Sequence, residues 1–162
     1  MKPVNEMNLN FLSCSANESF ARAAVAAFVS QLDPTMDELA DIKTAVSEAV
    51  TNCIVHAYRE KIDKVYITAS IYPDSRIVIK IKDNGCGIAD VKKAMEPLFT
   101  TAPEEERAGL GFAVMESLMD KVKVSSKLGK GTTVTLEKKI LSKGSAREML
   151  PEGENHAHDG RA

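Results

Sequence analysis

The segment Val65-Tyr66-Ile67-Thr68-Ala69-Ser70-Ile71-Tyr72-Pro73-Asp74-Ser75-Arg76-Ile77-Val78-Ile79-Lys80-Ile81-Lys82 decides the fold class. It contains two alternating runs, Val65 to Ile71 and Ile77 to Lys82, around Pro73-Asp74-Ser75. Successive side chains of a strand point to opposite faces, so this alternation predicts a β-hairpin with one face packed. Downstream, the second run ends in Asp83-Asn84-Gly85-Cys86-Gly87-Ile88. A weakly patterned stretch follows, with Pro97, Pro103 and the acidic run Glu104-Glu105-Glu106. That stretch reads as a long loop, of the kind that in compact domains is functional or disordered. Helical spacing returns with Leu110, Ala113, Val114, Ser117 and Leu118. Two more strands, Val122 to Ser126 and Thr132 to Glu137, are joined through Leu128-Gly129-Lys130-Gly131.

Upstream of the hairpin, Ser15-Ala16-Asn17-Glu18 has the pattern of a capping box. It precedes Phe20, Ala24, Val25, Phe28, Val29 and Leu32 at helical spacing. Asp33-Pro34 breaks this helix, and Thr35-Met36-Asp37-Glu38 gives a second capping box. The helix it opens runs to about Tyr58, with an apolar stripe of Leu39, Ile42, Val46, Ala49, Val50, Cys53 and Ile54. The order is thus α-α-β-β-loop-α-β-β. Strands in hairpin pairs with helices between them predict an α+β protein, a two-layer α/β sandwich whose mixed, mostly antiparallel sheet carries its helices on one face.

A chain of 162 residues, 44% hydrophobic, suits one domain with its own core. Its formal charge of −2 provides no global field for nucleic acid or an anionic membrane, so neither is expected as a partner. The sequence shows neither an export leader nor an apolar run of membrane-spanning length, which leads us to expect a cytoplasmic protein. Cys14, Cys53 and Cys86 are odd in number and lack a Cys-x-x-Cys pairing, which argues for reduced thiols rather than disulfides or zinc. His156 and His158 lie in a polar stretch with Gly144, Gly153 and Gly160. Residues 1–141 are therefore expected to form the domain and residues 142–162 a disordered tail.

Six of the nine glycines form three Gly-x-Gly pairs, at 85 and 87, 109 and 111, and 129 and 131. Together they suggest loops converging on one bound molecule, although any one pair serves equally to close a turn. Glu48 and Asn52, four residues apart, share a helix face and fit either a solvated pair or a magnesium site completed by water and phosphate. Asp83 at a strand end can accept a hydrogen bond from an exocyclic amine or simply close an Asp-Asn-Gly turn. Gly109 and Gly111 precede a helix whose N–H groups and dipole favour phosphate. Arg107 can reach the same anion or balance Glu104 to Glu106. Thr132 can hydrogen-bond a base edge or favour its strand.

In their order, these segments resemble the ATP-binding superfamily shared by gyrase and histidine kinases, called GHKL or Bergerat-fold proteins. Glu48-Ala49-Val50-Thr51-Asn52 resembles its N box, and Asp83-Asn84-Gly85-Cys86-Gly87-Ile88 its first glycine box. Gly109-Leu110-Gly111-Phe112 resembles the second, and Gly129-Lys130-Gly131-Thr132-Thr133 the third. Three further segments, Phe20-Ala21-Arg22, Ser47 to Asn52 and Pro97-Leu98-Phe99-Thr100-Thr101 through Phe112, resemble the anti-sigma kinases of spore-forming bacteria. The family pattern has glycine where His56-Ala57-Tyr58 carries alanine.

The resemblance implies an ATP-dependent serine kinase that uses ATP/ADP and Mg²⁺. It would bind and inhibit a sporulation sigma factor (sigma F), phosphorylate an anti-anti-sigma factor, and form a homodimer. Asn52 would hold Mg²⁺ and Asp83 would read the adenine amine. Gly85 and Gly87 would admit the ring, with Thr132 beside it. A lid including Thr100, Thr101, Gly109 and Gly111 would wrap the triphosphate. Glu48 would deprotonate the attacking serine, Arg107 would stabilise the γ-phosphate, and Arg22 would belong to the sigma-binding surface. Two other readings remain: a non-catalytic ATP-gated binding module, and the ATP domain of a histidine kinase. No phosphoacceptor helix precedes the ATP domain to support the latter.

Overall fold

The alternation at 65–83 forms a hairpin in the computed structural model, which describes residues 1–96 and 111–141. Strands β2 (Lys64–Ile71) and β3 (Arg76–Asp83) pair antiparallel, with Ile67 opposite Ile81 and Ala69 opposite Ile79. The turn between them uses the left-handed region at Ser75, whose φ is 61°. Strands β4 (Lys121–Lys127) and β5 (Gly131–Lys139) form the second hairpin, and β5 lies antiparallel to β3.

A further strand, β1 (Asn5–Leu12), pairs antiparallel with β2. Its Met7, Leu9 and Phe11 do alternate, but Asn5, Asn8 and Asn10 are poor strand formers and obscure the signal. Among the described residues the sheet therefore has five strands, in the order β1-β2-β3-β5-β4. Every pairing among them is antiparallel, in line with the expected α+β sandwich and its mostly antiparallel sheet, with no parallel pair among the described residues.

Helices α1 (Ala16–Val29) and α2 (Met36–Asn52) cover the inner face, with α4 (Gly111–Leu118) beside α2. A short α3 (Val91–Met95), not anticipated in the sequence, is capped by the Asp90 carboxylate, which accepts from the Lys93 N–H. The core joins Ala21, Val25 and Val29 of α1, Ile42, Val46 and Ala49 of α2, and Met115 of α4 to Ile67, Ile79, Ile81 and Leu136 of the sheet. Burying each of the larger aliphatic side chains contributes about 1.5–3 kcal/mol. The buried face of α1 is centred one position away from Phe20. That ring stays 50% exposed and meets Phe11 edge-on, with centroids 6.2 Å apart.

The two expected capping boxes differ in outcome. At α2 both bonds form: Thr35 Oγ1 accepts from the Glu38 N–H at 3.2 Å, and Glu38 Oε2 from the Thr35 N–H at 2.9 Å. At α1 the Ser15 side chain makes no capping bond. Glu18 instead accepts from the Ser47 hydroxyl on α2, so a contact between helices displaces the local one. Thr35→Ala is expected to cost about 1 kcal/mol, the usual value for a lost N-cap, measured by urea denaturation. A change below 0.2 kcal/mol would remove the cap from the account of α2.

The α-hydrogen-bonding pattern of α2 ends at Asn52, and Cys53–Ala57 form a π-helical turn. The long helix expected to reach Tyr58 is thus two conformations in series. Such π-turns recur at functional sites.

Candidate functional site

Glu48 and Asn52 lie on the last turns of α2, facing the start of α4. A Cβ added to Gly111 would lie 3.3 Å from Glu48 Oε2 and 3.4 Å from Asn52 Oδ1. The second residue of the middle glycine pair therefore sits directly on the Glu/Asn pair. This brings a carboxylate and an amide oxygen to the N-terminus of a helix, where N–H groups and the dipole favour anions. Among the described residues no group of three or more His, Cys, Asp or Glu side chains gathers as a metal cage. An ion that takes one or two protein ligands and completes its shell with water and phosphate fits Asn52, and magnesium is such an ion.

The second part of the site is built on the π-turn. Cys53 Sγ donates to Asp83 Oδ2 at 3.7 Å, and the Ala57 carbonyl accepts from the Cys86 N–H at 3.1 Å. Tyr58 Oη accepts from the Asn84 N–H and donates to the Lys64 carbonyl, each at 2.7 Å. Asp83 is only 3% exposed, and its Oδ1 accepts from the N–H groups of Gly85 at 2.9 Å and Thr132 at 3.2 Å. Burial pushes its carboxyl pKa up, and the bonds from Gly85, Thr132 and Cys53 pull it back only in part. Burial, followed by the Asp83 charge, holds the Cys53 thiol well above its ordinary range, so sulfur keeps its proton and serves as the donor.

The glycines at 85, 87 and 131 are required by protein packing. A Cβ on Gly85 would lie 2.4 Å from the Ala57 carbonyl oxygen. On Gly87 it would lie 2.2 Å from that of Lys127, and on Gly131 2.1 Å from that of Asp83. Gly129 also donates to the Cys86 carbonyl at 2.7 Å. The first and third pairs thus interlock, and their open sides face backbone. Ala57, the departure from the family pattern, stands against Gly85, so two small residues share that contact.

Thr132 lies beside Asp83, to which its N–H donates. Its hydroxyl is 2.8 Å from Ser126 Oγ, which accepts from the Ile88 N–H and donates to the Gly131 carbonyl. Sequence reasoning missed Ser126, although β4 carried the signal. Its inward positions are Val122, Val124 and then a hydroxyl. A shallow recess lined by Asp83, Ser126, Lys127, Lys130 and Thr132 opens at this edge. Arg22 lies apart, on α1, with Nη1 3.9 Å from Glu18 Oε1. Thr100, Thr101, Arg107 and Gly109 lie outside the described residues, as does 142–162.

Asp83 Oδ2 accepts only the weak thiol donor among the described residues, so this buried carboxylate retains acceptor capacity for an exocyclic amine. The residues present therefore fit an adenine nucleotide at Asp83 and its metal at Asn52. No helix among them is long and apolar enough to cross a membrane.

The model of the histidine kinase-like ATPase domain matches residues 15–138. The anti-sigma F factor of Caldanaerobacter subterraneus is 62% identical over 136 residues, covering 84% of this chain and 94% of that protein. The anti-sigma F factor of Thermoanaerobacter sp. is 59% identical over 142 residues, covering 88% and 99%. Among solved structures, the RsbU and RsbW domains of a Mycobacterium tuberculosis protein align at 18% identity with a TM-score of 0.62. That match covers 84% of this chain and 32% of the other. A blue-light activated histidine kinase of Erythrobacter litoralis aligns at 18% identity and TM-score 0.51, covering 73% and 40%. These two likenesses concern the fold. With the domain model spanning most of the chain and relatives this similar along nearly their whole length, the chain belongs to the histidine kinase-like ATPase family, in its anti-sigma F factor branch.

Proposed function

We propose that this chain is an ATP-dependent protein-serine kinase that phosphorylates an anti-anti-sigma factor and that also sequesters sigma F, acting as a homodimer. The observation that carries the kinase reading is the meeting of Glu48, Asn52 and the first residue of α4. Binding of a base alone requires Asp83; a carboxylate aimed at the phosphate-favouring end of a helix suits transfer.

In this reading Asp83 Oδ2 accepts the adenine amine, and Thr132 stands beside the base. Asn52 would hold Mg²⁺, which when bound would supply charge neutralisation for the phosphate oxygens. Glu48 accepts the proton of the incoming serine hydroxyl as the serine oxygen bonds to the γ-phosphorus and the bond to ADP breaks. Thr100, Thr101, Gly109 and Arg107, which precede α4 in the sequence, would contact the phosphates in this reading. Arg22, on the partly exposed face of α1, contributes to the sigma surface.

The test combines the chain, labelled ATP, Mg²⁺ and an anti-anti-sigma protein, and in parallel captures sigma F with and without nucleotide. Phosphoserine on the anti-anti-sigma protein and nucleotide-dependent capture are expected. Arg22→Glu is expected to weaken capture at least tenfold and leave transfer to the serine in place. Capture without any phosphoserine would establish a nucleotide-gated binding module instead.

A further inference from the structure

Resting on the reading that Asp83 recognises the adenine amine, we infer that Cys53 is a positioning residue that holds the recognising oxygen, Asp83 Oδ2, and thereby sets base selectivity.

The two oxygens of Asp83 have different partners. Oδ1 is committed to the framework by the N–H groups of Gly85 and Thr132, on either side of the carboxylate. Because the carboxylate is rigid and planar, those bonds also limit where Oδ2 can lie, and within that range the Cys53 thiol, 3.7 Å away, is the donor to Oδ2 among the described residues. A carboxylate oxygen has two lone-pair directions, so Oδ2 can keep the thiol bond and accept an amine at the same time. The thiol occupies one of those directions and leaves the other to the amine.

The geometry around Cys53 fixes where its sulfur points. Cys53 is 3% exposed and opens the π-turn immediately after Asn52. The far end of that turn is pinned by Tyr58, through Asn84 and Lys64, and by Ala57, through Cys86. These contacts tie the turn to Asn84 and Cys86, which follow Asp83 in the chain. The π-turn also places residue 53 directly after the proposed metal ligand. One short segment thereby registers the base-reading end of the site against its phosphate end.

The experiment measures Kd for ATP and for purine riboside triphosphate, which lacks the exocyclic amine, in the full chain and in Cys53→Ala, Cys53→Ser and Asp83→Asn. The wild type is expected to prefer ATP. Cys53→Ala is expected to reduce that preference about fivefold, within the range of one modest hydrogen bond, and Cys53→Ser, which keeps a donor, to retain most of it. A role in packing alone would weaken both nucleotides equally. An unchanged ratio in Cys53→Ala therefore overturns the inference, with the Asp83 reading intact if Asp83→Asn abolishes the preference. A wild type that binds the two nucleotides equally overturns both. Should Cys53→Ala fail to fold, loss of the preference in a folded Cys53→Ser overturns the inference, and its retention there supports it.

Discussion

Replacing Glu48 by glutamine is expected to reduce phosphoryl transfer to the anti-anti-sigma serine by 10²- to 10⁴-fold, the usual contribution of a positioned general base, with ATP affinity within threefold of wild type. Glutamine preserves the volume beside Gly111, where the space around Glu48 Oε2 is tight, so lost transfer cannot be assigned to repacking of α2 against α4. Glu48→Ala should give the same loss, with a small cavity added. Single-turnover transfer of labelled phosphate, compared with nucleotide binding on the same preparation, separates chemistry from affinity. Transfer by Glu48→Gln within threefold of wild type would remove Glu48 from the role of base.

Asp83→Asn is expected to move stability and affinity in opposite directions. Burial raises the folded carboxyl pKa above that of the unfolded chain, about 3.9, so the folded state binds this proton more tightly. The stabilisation from that proton is complete below the unfolded value and is lost as pH rises through the folded one. At neutral pH the ionised carboxylate is thus a standing cost. An amide keeps an acceptor for Gly85 and Thr132 and carries no charge, so the melting temperature at pH 7–8 should equal or exceed that of wild type. The variant's advantage should shrink as pH falls towards 4. ATP affinity should fall about 10- to 150-fold, because an NH₂ group then faces the adenine amine and a charge-assisted hydrogen bond is lost. Calorimetric melts across pH and a binding titration decide this. A variant that melts lower and binds ATP normally would make Asp83 purely structural.

The sequence was most legible where one period governed. Alternation marked four of the five strands, and the helical stripe from Ile42 to Val50 marked the α2 core. Strand β1 was hidden because its outward positions hold asparagines, whose preference for turns masks the apolar residues between them. The α1 cap was misread because Glu18 accepts instead from Ser47, 29 residues away, which no local pattern can reveal. That Glu48 and Asn52 share a helix face was legible from their four-residue spacing, and that Asp83 ends a strand from the alternation before it, whereas the roles proposed for them came from the family resemblance. The glycines were located correctly, but their reason was not: at 85, 87 and 131 the close approach is to this chain's own backbone. A Gly-x-Gly motif states that something comes near without stating what. Ser126 and the π-turn went unnoticed because each acts through three-dimensional neighbours on other elements.

Glu38 has a practical consequence for handling this protein. One of its oxygens closes the α2 cap, and the other accepts from the Leu141 N–H at 2.9 Å, tying the exit of the last strand to the start of that helix. Glu48 and Asn52 are 10 and 14 residues further along α2. At 1.5 Å per residue the exit point is thus about 15–20 Å from the site, measured along the helix. A fluorophore coupled at position 141 is therefore held at the opposite end of α2 from Glu48 and Asn52.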